Sequence, residues 1–221
     1  MIDILSHFMK EHFPNLALRP PLFYSWKFAI RFEISMPSVQ HEDKNNLLQI
    51  EERMNRIFNY VFQDTDELIL VTDIHCERNN PFLQKRPTKI YQKYITDKER
   101  RRKLQHRVGP SVFLEDGEDD EEMVTHRFAL SCKKSDVRYK PLLRALSYED
   151  FPHPCQILKG LYRPGIDIYF VNLTRNMIYH LYDDRGCDVI ASRKEDLHSL
   201  YEELNDWMLD DDREQIDKLF K

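Results

Sequence analysis

Apolar residues recur along this chain with two different periods, and the switches between them mark its elements. Ile2, Leu5, Phe8 and Met9 fall at three- and four-residue spacing, which predicts a helix over 2–13 that Pro14 stops. Between 27 and 35 the period shortens to two. Phe28, Ile30, Phe32 and Ile34 alternate with Lys27, Ala29, Arg31 and Glu33, the pattern of a half-buried strand. Helical spacing returns over 45–62, where Leu47, Ile50, Met54, Ile57, Phe58 and Val61 share one face. The short apolar run 67–75 reads as a second strand.

The pattern lapses in the middle. Residues 85–107 form a basic stretch with interleaved aromatics, and 115–122 place seven acids in eight residues. Together they read as a charged central insertion over about 85–123, with opposite charges able to neutralise one another. Alternation resumes at 126–132, followed by a short helix ending near Pro152. "RFEI", helix, strand in the first half and "RFAL", helix, strand in the second suggest an internal α/β pseudo-repeat.

Three strands follow in close succession at 165–172, 176–183 and 187–192. Their turn-length connections require antiparallel neighbours, hence a meander. Ser192 and Glu195 have capping-box spacing, and Leu197, Leu200, Leu204, Trp207 and Met208 predict a C-terminal helix covering the meander. The fold expected is α+β: one domain over 1–221, with a predominantly antiparallel sheet and helices packed mainly on one side.

Composition narrows the function classes. The 221 residues carry 33 basic and 38 acidic side chains, a formal net charge of -5, which argues against nucleic-acid binding driven by net charge. Cys76, Cys132, Cys155 and Cys187 are scattered without a CxxC pair, so reduced thiols in a cytoplasmic protein are expected rather than a disulfide framework or zinc site. No apolar run approaches the length of a membrane span, and no spacing calls for a cofactor.

The densest polar chemistry lies in "LYDDRGCDVIAS", 181–192. Gly186 is expected to supply a left-handed residue to a three-residue hairpin loop, with Asp183 or Asp184 bonding turn amides. Arg185 and the second aspartate are left over, and they nominate the tip as a binding surface. The C-terminal acids Asp206, Asp210, Asp211, Asp212 and Glu214 extend the idea. At four-residue spacing on a helix they would form a docking face for a basic partner.

The catalytic alternative uses the same hairpin. His180, Asp184 and Asp188 would assist a metal-dependent hydrolase or nuclease-like reaction if the tip brought them together. Asp73, His75 and Glu77 share a strand face, and Cys187 would be nucleophilic only if His180 reached it. Tyr91 and Tyr94 among Lys89, Lys93 and Arg100–Arg102 offer stacking beside phosphate contacts.

The stretches "RYKPLLRALSYEDFP", "IYFVNLTRNMIYHLYDDRGCDVIA" and "LYEELNDWMLDDDREQIDKLF", with "RFEI" and "RIFNYVFQDTDELILV" earlier, resemble the uncharacterised bacterial DUF3885 family. The resemblance covers most of the chain outside the central charged segment. It brings no catalytic residue, cofactor or substrate. It implies an immunity-like role, because relatives lie in polymorphic-toxin neighbourhoods, and so a basic protein or toxin as partner. The leading expectation is therefore a protein-binding module acting through Asp183, Asp184, Arg185, Asp210, Asp211 and Asp212.

Overall fold

The computed structural model describes residues 4–80, 88–114, 122–151, 153–157 and 165–221. The strands are β1 (Ala29–Glu33), β2 (Glu67–Glu77), β3 (Gln105–Pro110), β4 (Met123–Lys133), β5 (Gly165–Asn172), β6 (Met177–Leu181) and β7 (Gly186–Ala191). They form a single seven-stranded sheet in the order β1-β7-β6-β5-β2-β4-β3. Every neighbouring pair is antiparallel. The expected meander is present as β5-β6-β7.

The helices are α1 (Ile4–His12), α2 (Leu22–Ser25), α3 (Lys44–Val61), α4 (Lys89–Tyr94), α5 (Lys98–Arg101), α6 (Tyr139–Leu146), α7 (His198–Glu203) and α8 (Arg213–Phe220). Asp43 caps α3 by accepting from the Asn45 and Asn46 amides, satisfying donors that the first turn leaves unpaired. Ile50, Met54, Ile57, Phe58 and Val61 of α3 are buried. Phe58 meets Phe170 and Tyr179 edge-on, so α3 lies across β5 and β6. The same sheet face carries α4, whose Tyr91 hydroxyl donates toward Thr72 and the Phe128 carbonyl. Residues 4–26 cover the opposite face: α2 packs on β1 and β7, and Trp26 Nε1 donates to the Ala191 carbonyl at 2.7 Å.

Several expectations need correction. The basic middle is woven into the fold, since Ile90, Tyr91, Tyr94 and Ile95 are buried and 105–110 is an edge strand. Of the acidic run 115–122, only Glu122 lies within the described residues. The pseudo-repeat does not hold. β1 is an edge strand with three strands between it and β2, whereas β4 is interior with one strand between it and β5.

The C-terminal helix is broken. After α7 the chain makes 3₁₀ turns at Asn205–Trp207 and Asp210–Asp212 before α8. Between those turns Met208 bridges Phe32, and the Leu209 amide donates to the Arg31 carbonyl at 3.1 Å. Pairing with the outer edge of β1 satisfies backbone groups that a continuous helix would leave exposed there. The four-residue grouping of Asp206, Asp210 and Glu214 on one helix is therefore absent. The Ser192–Glu195 capping box is absent as well: the Ser192 amide bonds the Asn176 carbonyl, and no side chain caps the following 3₁₀ turn.

Candidate functional site

The β6–β7 connection is Tyr182–Arg185, and Gly186 is already the first residue of β7. No left-handed backbone is required of this glycine. A Cβ there would stand 2.1 Å from the Tyr182 hydroxyl and 2.5 Å from the Phe32 carbonyl, so glycine is demanded by close approach. Asp183 folds inward, accepting from the Arg185 amide at 2.8 Å and from its guanidinium Nε at 2.7 Å. The Arg185 carbonyl in turn accepts from the Ile34 amide at 2.8 Å, docking the tip onto the end of β1.

Asp184 points to a loop that carries no recognisable sequence pattern. Its carboxylate lies 2.9 Å from His41 Nδ1. An ionised carboxylate can only accept, so Nδ1 is the donor in this contact. Phe151 stacks on the imidazole at 3.8 Å between centroids, Tyr148 meets it edge-on at 5.1 Å, and Nε2 is buried without a partner.

The tip, this loop and the end of β1 enclose an open cleft of about 810 Å³, within the range of ligand pockets. Arg31, Glu33, His41, Asp150, Tyr182, Asp184 and Arg185 line it. Arg31 is bound bidentately by Asp188, at 2.7 and 2.9 Å, and Arg185 by Asp183. Glu33 and Asp150 form no ion pair among the described residues. Desolvation, offset by Arg53 and reinforced by nearby Asp210 and Asp211, raises the Glu33 carboxyl above its ordinary range. Apart from Arg53 acting on Glu33, the charged side chains lining the cleft that lack an ion-pair partner among the described residues are acidic.

Behind the cleft a polar row crosses the sheet beneath residues 4–26. Arg31, Asp188, His180 and Tyr169 are successive cross-strand partners. Beside them Asp167 accepts from His75 at 2.9 Å and His180 at 3.1 Å, while Asp73 binds Arg127. Burial opposes ionisation of Asp167, but the hydrogen bonds from His180 and His75 and their electrostatic attraction outweigh it and hold its carboxyl below the ordinary range.

The model of the family "Domain of unknown function (DUF3885)" matches residues 5–212. The chain belongs to this family. It is also 31% identical over 209 residues to "Uncharacterized protein YnaE" of Bacillus subtilis (strain 168), covering 92% of this chain and 96% of that one. No solved structure matches. The match takes in the cleft, the hairpin tip and the acidic turn, so these are features of the DUF3885 portion of the chain.

Of the catalytic trio, His180 and Asp188 are cross-strand partners while Asp184 turns to His41, and each is bonded elsewhere. His180 is committed to Asp167, Asp188 to Arg31 and the Phe23 amide, and Asp184 to His41. No group of three His, Cys, Asp or Glu side chains among the described residues could hold a metal ion. Cys187 and His180 project from opposite sheet faces, since Cys187 pairs with Leu181 and His180 with Asp188. Burial pushes the Cys187 thiol up, away from nucleophilic use. His75 and Asp73 belong to the buried polar row, while Glu77 ends β2 exposed.

The binding set divides. Arg185, Asp210 and Asp211 are exposed, Asp184 is half-buried, and Asp183 and Asp212 are buried. Asp212 accepts from the Tyr24 hydroxyl at 2.8 Å, a structural tie between the two ends of the chain. In the basic middle, the Tyr91 and Tyr94 rings are buried, so neither offers a stacking platform. Glu33, His41 and Asp150 escaped notice in the sequence. Glu33 sat on the polar side of an ordinary alternation, and the other two lie in loops where no period applies.

No helix among the described residues is long and apolar enough to cross a membrane.

Proposed function

We propose that this bacterial DUF3885 protein is a cytoplasmic protein-binding module with an immunity-like role, recognising a basic partner through the face that joins the hairpin tip to the acidic turn. One observation carries the reading. Asp184 and Arg185 line the same cleft as Leu209, which directly precedes the exposed Asp210 and Asp211. The two acidic segments singled out in the sequence thus flank one recess. Internal pairing of Arg31 and Arg185 leaves that recess negative, which would accelerate encounter with a basic surface and disfavour acidic ones.

Affinity capture from native bacterial lysate tests the proposal, using the wild type, Arg185→Ala and Asp210→Asn/Asp211→Asn. Asp212 stays unchanged because it is a structural acceptor for Tyr24. A basic protein recovered by the wild type and depleted with at least one variant of unchanged melting temperature is the expected result. Equal recovery by all three proteins would remove this face as the dominant contact.

A further inference from the structure

The cleft itself specifies more than a negative face. Its size of about 810 Å³ exceeds one side chain and suits a short extended segment. Its wall chemistry is mixed. Met36, Val39 and Leu209 offer apolar surface, Tyr182 and Phe151 offer rings, and Glu33 and Asp150 offer carboxylates. A lysine or arginine side chain has the matching parts, an aliphatic stem ending in hydrogen-bond donors and positive charge.

His41 supplies an independent pointer. It lines the cleft, is only 8% exposed, and has Nε2 unpartnered. The bond to Asp184 makes Nδ1 the donor, so in the neutral tautomer Nε2 is an acceptor without a donor. A buried acceptor left unsatisfied is destabilising, and a ligand that donates to it recovers that loss.

Resting on the basic-partner reading above, we propose that this cleft seats an extended segment of the partner, with one lysine or arginine side chain held by the Glu33 and Asp150 carboxylates and donating to His41 Nε2. Nε2 is covered in the unbound protein, so the groups around the ring, Phe151 and Tyr148 among them, must shift as that bond forms. Asp184 acts as a positioning residue, because it sets the tautomer without meeting the cation. Anionic ligands are disfavoured because both guanidinium groups in the wall already have carboxylate partners.

The test is fluorescence anisotropy of labelled hexalysine with the full chain at low salt, with labelled hexaglutamate as the control. Wild type should bind hexalysine and not hexaglutamate. Glu33→Gln/Asp150→Asn should weaken binding by about tenfold or more, consistent with loss of charge-assisted contacts. His41→Phe should weaken it by about three- to tenfold, as for one hydrogen bond. His41→Gln stands in if the Phe variant melts early. In the wild type, the His41 Nε2 nitrogen resonance should shift as hexalysine saturates, which a purely structural histidine would not show.

If hexalysine binds yet Glu33→Gln/Asp150→Asn and both His41 variants bind as wild type, the segment docks elsewhere on the acidic face. That overturns the cleft assignment while the basic-partner reading stands. Failure of the wild type to bind hexalysine, or preference for hexaglutamate, also overturns the assignment. Lysate capture then decides the broader reading separately.

Discussion

The Tyr182 hydroxyl stands 2.1 Å from the position a Cβ on residue 186 would take, so the tyrosine ring closes over the bare face of Gly186. The Phe32 carbonyl, 2.5 Å away on β1, blocks the same position from fixed backbone. Gly186→Ala should therefore destabilise the protein by about 1–3 kcal/mol, the usual range for overpacking. Adding Tyr182→Phe should recover only part of this, because the Phe32 carbonyl cannot rotate away. Urea unfolding of the three proteins measures both effects.

Arg31 and Asp188 form a buried bidentate pair at the junction of β1, β7 and α2. Removing one partner strands the other charge, so Asp188→Leu should cost about 3–5 kcal/mol. The double variant Arg31→Met/Asp188→Leu should cost less than the sum of its single changes, since neither member of the bidentate pair is left facing the other's empty place, although Asp212 loses its longer 3.9 Å contact with Arg31. A double-mutant cycle by chemical denaturation gives the coupling directly.

Asp167 predicts an acid limb of stability. Its folded carboxyl is held below the ordinary range by His75 and His180 against the opposing effect of burial. A depressed carboxyl stabilises the fold fully above its unfolded value, near pH 3.9, and loses that contribution as pH falls toward the folded value. Asp167→Asn should be less stable at pH 7, and the gap should narrow below about pH 4. Melting curves from pH 2 to 7 would show the convergence.

How much of this was legible in the sequence depends on whether a residue's surroundings are local. The meander and the α3 face were readable, because strand alternation and helical spacing are properties of neighbouring residues. Arg31 was misread as the solvent side of a half-buried strand, yet it is only 9% exposed. Its cover comes from residues 4–26, and nothing in 27–35 announces that a second layer will fold over them. The C-terminal break was hidden for the same reason: the edge of β1 recruits Met208 and Leu209 from far along the chain. Within the site, the YDDRG stretch marks the tip, and one aspartate bonds a turn amide as expected; the reason for the glycine differs. Asp183 serves the turn, Asp184 serves His41, and Gly186 serves Tyr182.

The thiols should react in order of exposure and acidity. Burial pushes Cys132 up to about 12 and raises Cys76 and Cys187 as well, whereas Cys155 is only partly buried. A thiolate-specific reagent should modify Cys155 first in the native protein, and Cys132 and Cys187 only on unfolding. Cys155→Ser should remove the fast phase of labelling, as followed by intact-mass spectrometry.

Binding of a basic partner by the face between the hairpin tip and the acidic turn is the central claim. Titration calorimetry of the captured partner against the wild type and Asp210→Lys/Asp211→Lys, at low and high salt, tests it most directly. Charge reversal at two exposed positions should weaken the complex by about tenfold or more, and the wild-type affinity should fall as salt rises. An affinity unchanged by both the reversal and the salt would contradict the claim.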